Sequence, residues 1–134
     1  MRDGHTRRTH REERDGFQVF LAQHQAKLVA VQGRSAGVEY PLEQGVVVVG
    51  RGPSVDVAFD DPEMSRQHVA VEYGEQGFRV RDLGSTNGVL VNGVRVQSGD
   101  LSDGDRFEIG HTVFQLVIED VEIEPDVYEL TDEG

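Results

Sequence analysis

The chain has 134 residues, room for one ordinary domain, and a formal charge of −12. With 25 Asp and Glu against 13 Lys and Arg, it lacks the basic excess that nucleic acid or an anionic membrane surface requires, though a small local anion site stays open. It contains no cysteine, which excludes disulfides, thiolate metal sites and cysteine nucleophiles, and it has neither an apolar run near the ~18 residues that span a membrane nor a secretory signal at its charged start, so the expected compartment is the cytoplasm.

Residues 1–16 are rich in Arg, His and Glu without an apolar period and are expected to form a disordered polar leader. Residues 17–26 place Phe17, Phe20, Leu21 and His24 on one helical face; the segment reads as a short helix or an irregular lead-in. From Lys27 to Glu119 the pattern changes to short strands and turns. The segments are Leu28–Val31, Val38–Leu42, Val46–Val49, Val55–Phe59, His68–Tyr73, Phe78–Asp82, Val89–Val91, Val94–Val96, Phe107–Ile109 and Thr112–Ile118. The four-valine run, bounded by glycines, predicts a strand buried on both faces. Asn87-Gly88 and Asn92-Gly93 are strong turn signals. The chain holds 21 Val against eight Leu, six Ala and three Ile, a bias toward β-branched residues that favours sheet over helix. Ten short strands separated by frequent turns predict an all-β sandwich or barrel. Residues 120–134 are an acidic tail, expected to be disordered; the last sixteen residues, Glu119 included, carry eight acids and no Lys or Arg.

Three chemical readings fail on residue pattern. Gly50-Arg51-Gly52 follows a strand like a dinucleotide fingerprint, but Val55 stands at the third glycine position and a strand follows where a helix is needed. Asp100, Asp103 and Asp105 suggest calcium, yet their spacing misses the acid positions of a calcium loop and fits a Gly-Asp turn entering the strand at Arg106. Ser65, Ser85, His68 and His111 supply the residue types of a hydrolase, but no serine sits in a nucleophile elbow. His68, at the head of an amphipathic strand, reads as a buried hydrogen-bonding residue.

A fourth arrangement survives. Gly50-Arg51, Ser65-Arg66-Gln67-His68, Ser85-Thr86-Asn87-Gly88 and Asn92-Gly93 all fall at strand junctions, and a sandwich gathers alternate loops at one end. The pieces contain two guanidinium groups, several hydroxyls and an amide, with no acid among them, which points to an anion site. Gly50, Gly88, Asn92 and Gly93 are explained as turn residues; Arg51 and Arg66 are not.

At these residues the sequence resembles the forkhead-associated (FHA) domain family. The resemblance rests on Gly50-Arg51, Ser65-Arg66-x-His68, Ser85-Thr86-Asn87-Gly88 and Val91-Asn92-Gly93, extends to Leu101-x-Asp103-Gly104-Asp105 and Ile109-Gly110, and covers Lys27 to Glu119. No signature position departs from the pattern. The resemblance implies an eleven-stranded, antiparallel-rich β-sandwich that is not an enzyme, needs no cofactor or metal, and binds phosphothreonine-containing proteins or peptides through loops at one end. It implies that Arg51, Ser65, Arg66 and Thr86 contact the phosphate, that Asn87 holds the peptide backbone, and that His68 fixes the loops, with Gly50, Ser85, Gly88, Asn92 and Gly93 in support. The implied partner is a Ser/Thr kinase or a kinase substrate; the sequence leaves the oligomeric state open. The competing reading is a phosphate-independent assembly module on the same fold. Thr131 in the acidic tail, and Thr6 and Thr9 in the leader, are candidate phosphorylation sites that would let the chain occupy its own site.

Overall fold

The computed structural model describes residues 10–121, with side chains from residue 16 onward. Thr6, Thr9 and Thr131 lie outside the described residues. One helix, α1 (His10–Gln23), precedes eleven strands: β1 (His24–Gln32), β2 (Glu39–Pro41), β3 (Val46–Gly50), β4 (Val57–Ala58), β5 (Val69–Gly74), β6 (Gly77–Asp82), β7 (Val89–Val91), β8 (Val94–Val96), β9 (Ser98–Leu101), β10 (Arg106–Ile109) and β11 (Thr112–Asp120). They form a six-stranded sheet in the order β2-β1-β11-β10-β7-β8 and a five-stranded sheet in the order β4-β3-β5-β6-β9. The pairings are antiparallel except β3 with β4.

Period-two alternation builds the core. Leu28, Phe107, Phe114 and Leu116 from one sheet and Val49, Val71 and Val80 from the other are buried in a single cluster, while Arg79 and Arg81 alternate outward on β6. Such burial is the main stabilising term of a sandwich. The valine run departs from expectation: Val47 and Val49 are buried, but Val46 is 51% exposed. β3 is covered on one face only, because nothing among the described residues lies over the outer face of its sheet at Val46.

The element boundaries also differ from the sequence reading. The helix starts at His10, inside the segment expected to be leader. Arg11, Glu12, Glu13 and Arg14 are good helix formers as residue types, yet they offer no apolar period to read. β1 begins at His24 and β11 reaches Asp120, because these two residues pair across the sheet and their side chains meet at 3.0 Å. The strand predicted over Val55–Phe59 is only Val57–Ala58. β9, which the local pattern misses, is held by pairing with β6 from Phe78↔Leu101 to Arg81↔Ser98. Asp100 ends up in β9, and Ser102–Asp105 makes the expected turn, with the Ser102 N–H donating to Asp105 and the Ile118 N–H to Asp103, so two of the carboxylates are engaged by backbone.

Strand direction sorts the loops into two groups. The β3–β4, β4–β5 and β6–β7 connections leave one end of the sandwich, and the β1–β2 and β10–β11 connections join them there, tied across by side-chain hydrogen bonds. At the opposite end lie α1, the β5–β6 turn and the β7–β8 hairpin. There Phe17 is buried against Tyr73, and Phe20 packs on Tyr73 and Phe78 with centroids 4.9 and 5.4 Å apart.

Candidate functional site

The backbone that carries the predicted residues is drawn together at very short range. The Arg51 N–H donates to the Ser65 carbonyl at 2.9 Å, and the Gly52 N–H to the Arg66 carbonyl at 3.1 Å. A Cβ at Gly50 would sit 2.1 Å from the Arg66 carbonyl oxygen, so only glycine lets the β4–β5 loop lie against the end of β3. Arg51 follows directly, exposed, with its Nε donating to the Met64 carbonyl at 3.0 Å. That bond fixes the guanidinium plane and leaves its two terminal nitrogens without a partner among the described residues. Arg66 is exposed beside it.

Ser65 and Thr86 meet across loops: the Thr86 N–H donates to Ser65 Oγ at 3.1 Å. The amide of Asn87 donates to the Glu63 carbonyl at 2.9 Å, and the Asn87 carbonyl accepts from Arg95 at 2.8 Å. Arg51, Ser65, Arg66, Thr86 and Asn87 therefore line one open depression of about 530 Å³, together with Glu63. Asn92 and Gly93 do not belong to it. They form the two-residue turn between β7 and β8 at the other end, with φ of 48° and 88° as such a hairpin turn requires.

Buried and half-buried polar groups hold these loops. His68 is fully buried; its Nδ1 accepts from the Ser65 N–H at 3.0 Å, so the ring proton is on Nε2, which donates to the Gly88 carbonyl at 2.7 Å. One imidazole thus bolts the β4–β5 loop to the β6–β7 loop. Both ring nitrogens are engaged by backbone, so neither is free to take a proton from the Ser65 hydroxyl, as nucleophilic catalysis requires. Ser85 closes its own loop, accepting from the Gly88 N–H at 2.8 Å and donating to Asp82. Asp82 also accepts from the Gly84 and Ser85 N–H groups.

The sequence reading missed Asp61, Glu63, Asp82 and Arg95. Asp61 is buried and accepts from the N–H groups of Glu63 and His111 and from the Thr112 hydroxyl, at 2.8–3.0 Å. Burial pushes its carboxyl up, but these hydrogen bonds and the nearby His111 outweigh burial and hold it below the usual carboxylate range. Asp61-Pro62 and Asp82-x-Gly84 do carry local turn signals in the sequence. The bonds of Asp61 to His111 and Thr112 cross some fifty residues of chain and leave no local trace. Glu63 adds to the site an acid that the four sequence pieces did not contain.

What the arrangement does chemically follows from its donors. Two guanidinium groups and two hydroxyls face one open depression, a set suited to an anion with several acceptor oxygens.

Comparison with known proteins covers most of the sandwich and leaves α1 outside the family match. Residues 30–120 match the family described as the inner membrane component of T3SS, cytoplasmic domain. The chain is 39% identical over 92 residues to the glycogen accumulation regulator GarA of Mycobacterium tuberculosis, covering 69% of this chain and 56% of GarA. It is 37% identical over 97 residues to the oxoglutarate dehydrogenase inhibitor of Corynebacterium jeikeium, covering 72% of this chain and 66% of that protein. The chain thus spans little more than half the length of its mycobacterial relative. Among solved structures, it resembles an FHA domain from a study of phosphothreonine-dependent FHA domain interactions, with a TM-score of 0.63 and 30% identity over 75% of this chain and 98% of that one.

Proposed function

The chain belongs to the forkhead-associated family, with which the matched cytoplasmic-domain family shares its fold, and on that premise we propose that it is a non-catalytic reader of phosphothreonine in proteins acted on by Ser/Thr kinases. The observation that carries the reading is the convergence of Arg51, Ser65, Arg66, Thr86 and Asn87, from three separate loops, on one depression. In this reading Arg51 and Arg66 pair with the phosphate, the Ser65 and Thr86 hydroxyls bond its remaining oxygens, and Asn87 holds the peptide backbone.

A phosphate brings about −1.5 to −2 charges and three acceptor oxygens. Charge-assisted hydrogen bonds contribute roughly 1.5–3 kcal/mol each, so three or four make binding depend on phosphorylation. The net charge of −12 does not oppose this, since charges beyond the ~8 Å screening length of physiological salt are muted. The ligand is a phosphorylated kinase or kinase substrate, met in the cytoplasm. The relatives named as a regulator and an inhibitor fit a module whose work is binding. Among the described residues no helix is long and apolar enough to cross a membrane.

Titration of the chain with one peptide carrying phosphothreonine, phosphoserine or plain threonine tests the reading. Phosphothreonine is expected to bind tightest and plain threonine not measurably, and Arg51→Ala to weaken phosphothreonine binding at least tenfold. Equal binding of all three peptides, or an Arg51→Ala variant that binds like the parent, contradicts it and favours phosphate-independent assembly.

A further inference from the structure

Glu63 stands out in the depression because its charge has the wrong sign for an anion site. It lies in the loop between β4 and β5, exposed, and it lines the same depression as Arg51 and Arg66. Its backbone is fixed on both sides: the N–H donates to buried Asp61 at 2.9 Å and the carbonyl accepts from Asn87 at 2.9 Å. The carboxylate therefore projects from a rigid point, and its Oε1 lies 3.4 Å from the Asn87 amide nitrogen. Among the described residues no Lys, Arg or His comes within 4.0 Å of it, so neither lining arginine forms an ion pair with it.

A carboxylate on the rim with no ion-pair partner among the described residues repels a bound phosphate and attracts a cation placed next to that phosphate. Specificity is a difference of affinities, and one group supplies both halves of it here. We infer that Glu63 is a charge-selecting residue, and that the ligands of this site are phosphothreonine segments carrying a lysine or arginine close to the phosphorylated residue. Segments with acids in that place are rejected. The inference rests on the phosphothreonine reading and names the ligand class within it.

The test is fluorescence anisotropy of the full chain with short phosphothreonine peptides of otherwise alanine sequence. Each carries a single Lys or a single Glu at one of the positions flanking the phosphothreonine, and each has an unphosphorylated control. At one or more flanking positions the Lys peptide is expected to bind roughly two- to fivefold tighter than its Glu counterpart at low salt, the margin shrinking as salt is raised. In Glu63→Gln that ratio falls toward one, and in Glu63→Lys it inverts, while the melting temperature of both variants stays near that of the parent because the side chain is exposed. A Lys-to-Glu ratio near one at every position in the parent, or a ratio left unchanged by both substitutions, overturns the inference while leaving the phosphothreonine reading intact. Phosphorylated and unphosphorylated peptides binding alike would overturn both.

Discussion

The two ends of this sandwich are held by different physics. At the end bearing α1, aromatic rings do the holding: Phe17 and Phe20 pack on Tyr73, and Phe20 on Phe78, so removing apolar surface from water is the main gain. At the loop end, buried and half-buried polar groups do it. His68 joins Ser65 to Gly88, Asp61 joins the loop after β4 to the turn after β10, and Asp82 with Ser85 closes the loop after β6. Apolar packing is undirected and stabilises whatever shape fills the space. Hydrogen bonds from a buried imidazole or carboxylate fix direction, and they leave the outer side of the loops open for a ligand. The loop end is thus set in place before any ligand arrives, which lowers the ordering cost of binding.

Substitutions at the two ends separate stability from recognition. Phe17→Ala empties a fully packed position at the aromatic end and is expected to cost about 3–5 kcal/mol in denaturant unfolding, with peptide affinity unchanged within about twofold in the folded fraction. His68→Ala leaves the Ser65 N–H and the Gly88 carbonyl without partners; a stability loss of about 2–3 kcal/mol and an affinity loss of at least tenfold are expected together. If His68→Ala lowered stability alone, the polar anchor would not be what positions the site.

Acid sharpens the same contrast. Hydrogen bonds hold the Asp61 carboxyl below its ordinary value of 3.8 against the opposing push of burial. Its contribution to stability is complete above the unfolded-state value and is lost as the pH falls through the lower folded-state value. Melting temperature measured from pH 6 to pH 2 is expected to fall more steeply below about pH 4 in the parent than in Asp61→Asn. The smallest effect is expected from Arg95→Ala. It removes one exposed donor to the Asn87 carbonyl and costs under about 1 kcal/mol of stability, with a few-fold loss of peptide affinity.

The loop end was largely legible in the sequence because its residues sit in short motifs at strand junctions. Arg51, Ser65, Arg66, Thr86 and Asn87 all meet in one place, and His68 is the buried hydrogen-bonding residue its position suggested. What escaped was whatever depends on partners distant in the chain. Ser98-Gly-Asp-Leu has no alternation of its own and becomes a strand only against β6. Asp61 reads as a turn residue until His111 and Thr112 are brought to it by the fold. Val46 looks as apolar as Val47, and only the packing of the two sheets shows which of them lacks a cover. Asn92-Gly93, grouped with the site by sequence order, belongs to the far end because β7 is three residues long and reverses the chain there.

The most direct test of the account is an amide NMR titration of the chain with a phosphothreonine peptide and its unphosphorylated counterpart. The predicted result is a set of shifts confined to the neighbourhoods of Arg51, residues 63–67 and residues 85–88, seen with the phosphopeptide alone, while α1 and the Asn92-Gly93 turn stay still. Equal shifts from both peptides, or shifts centred on the aromatic end, would contradict it.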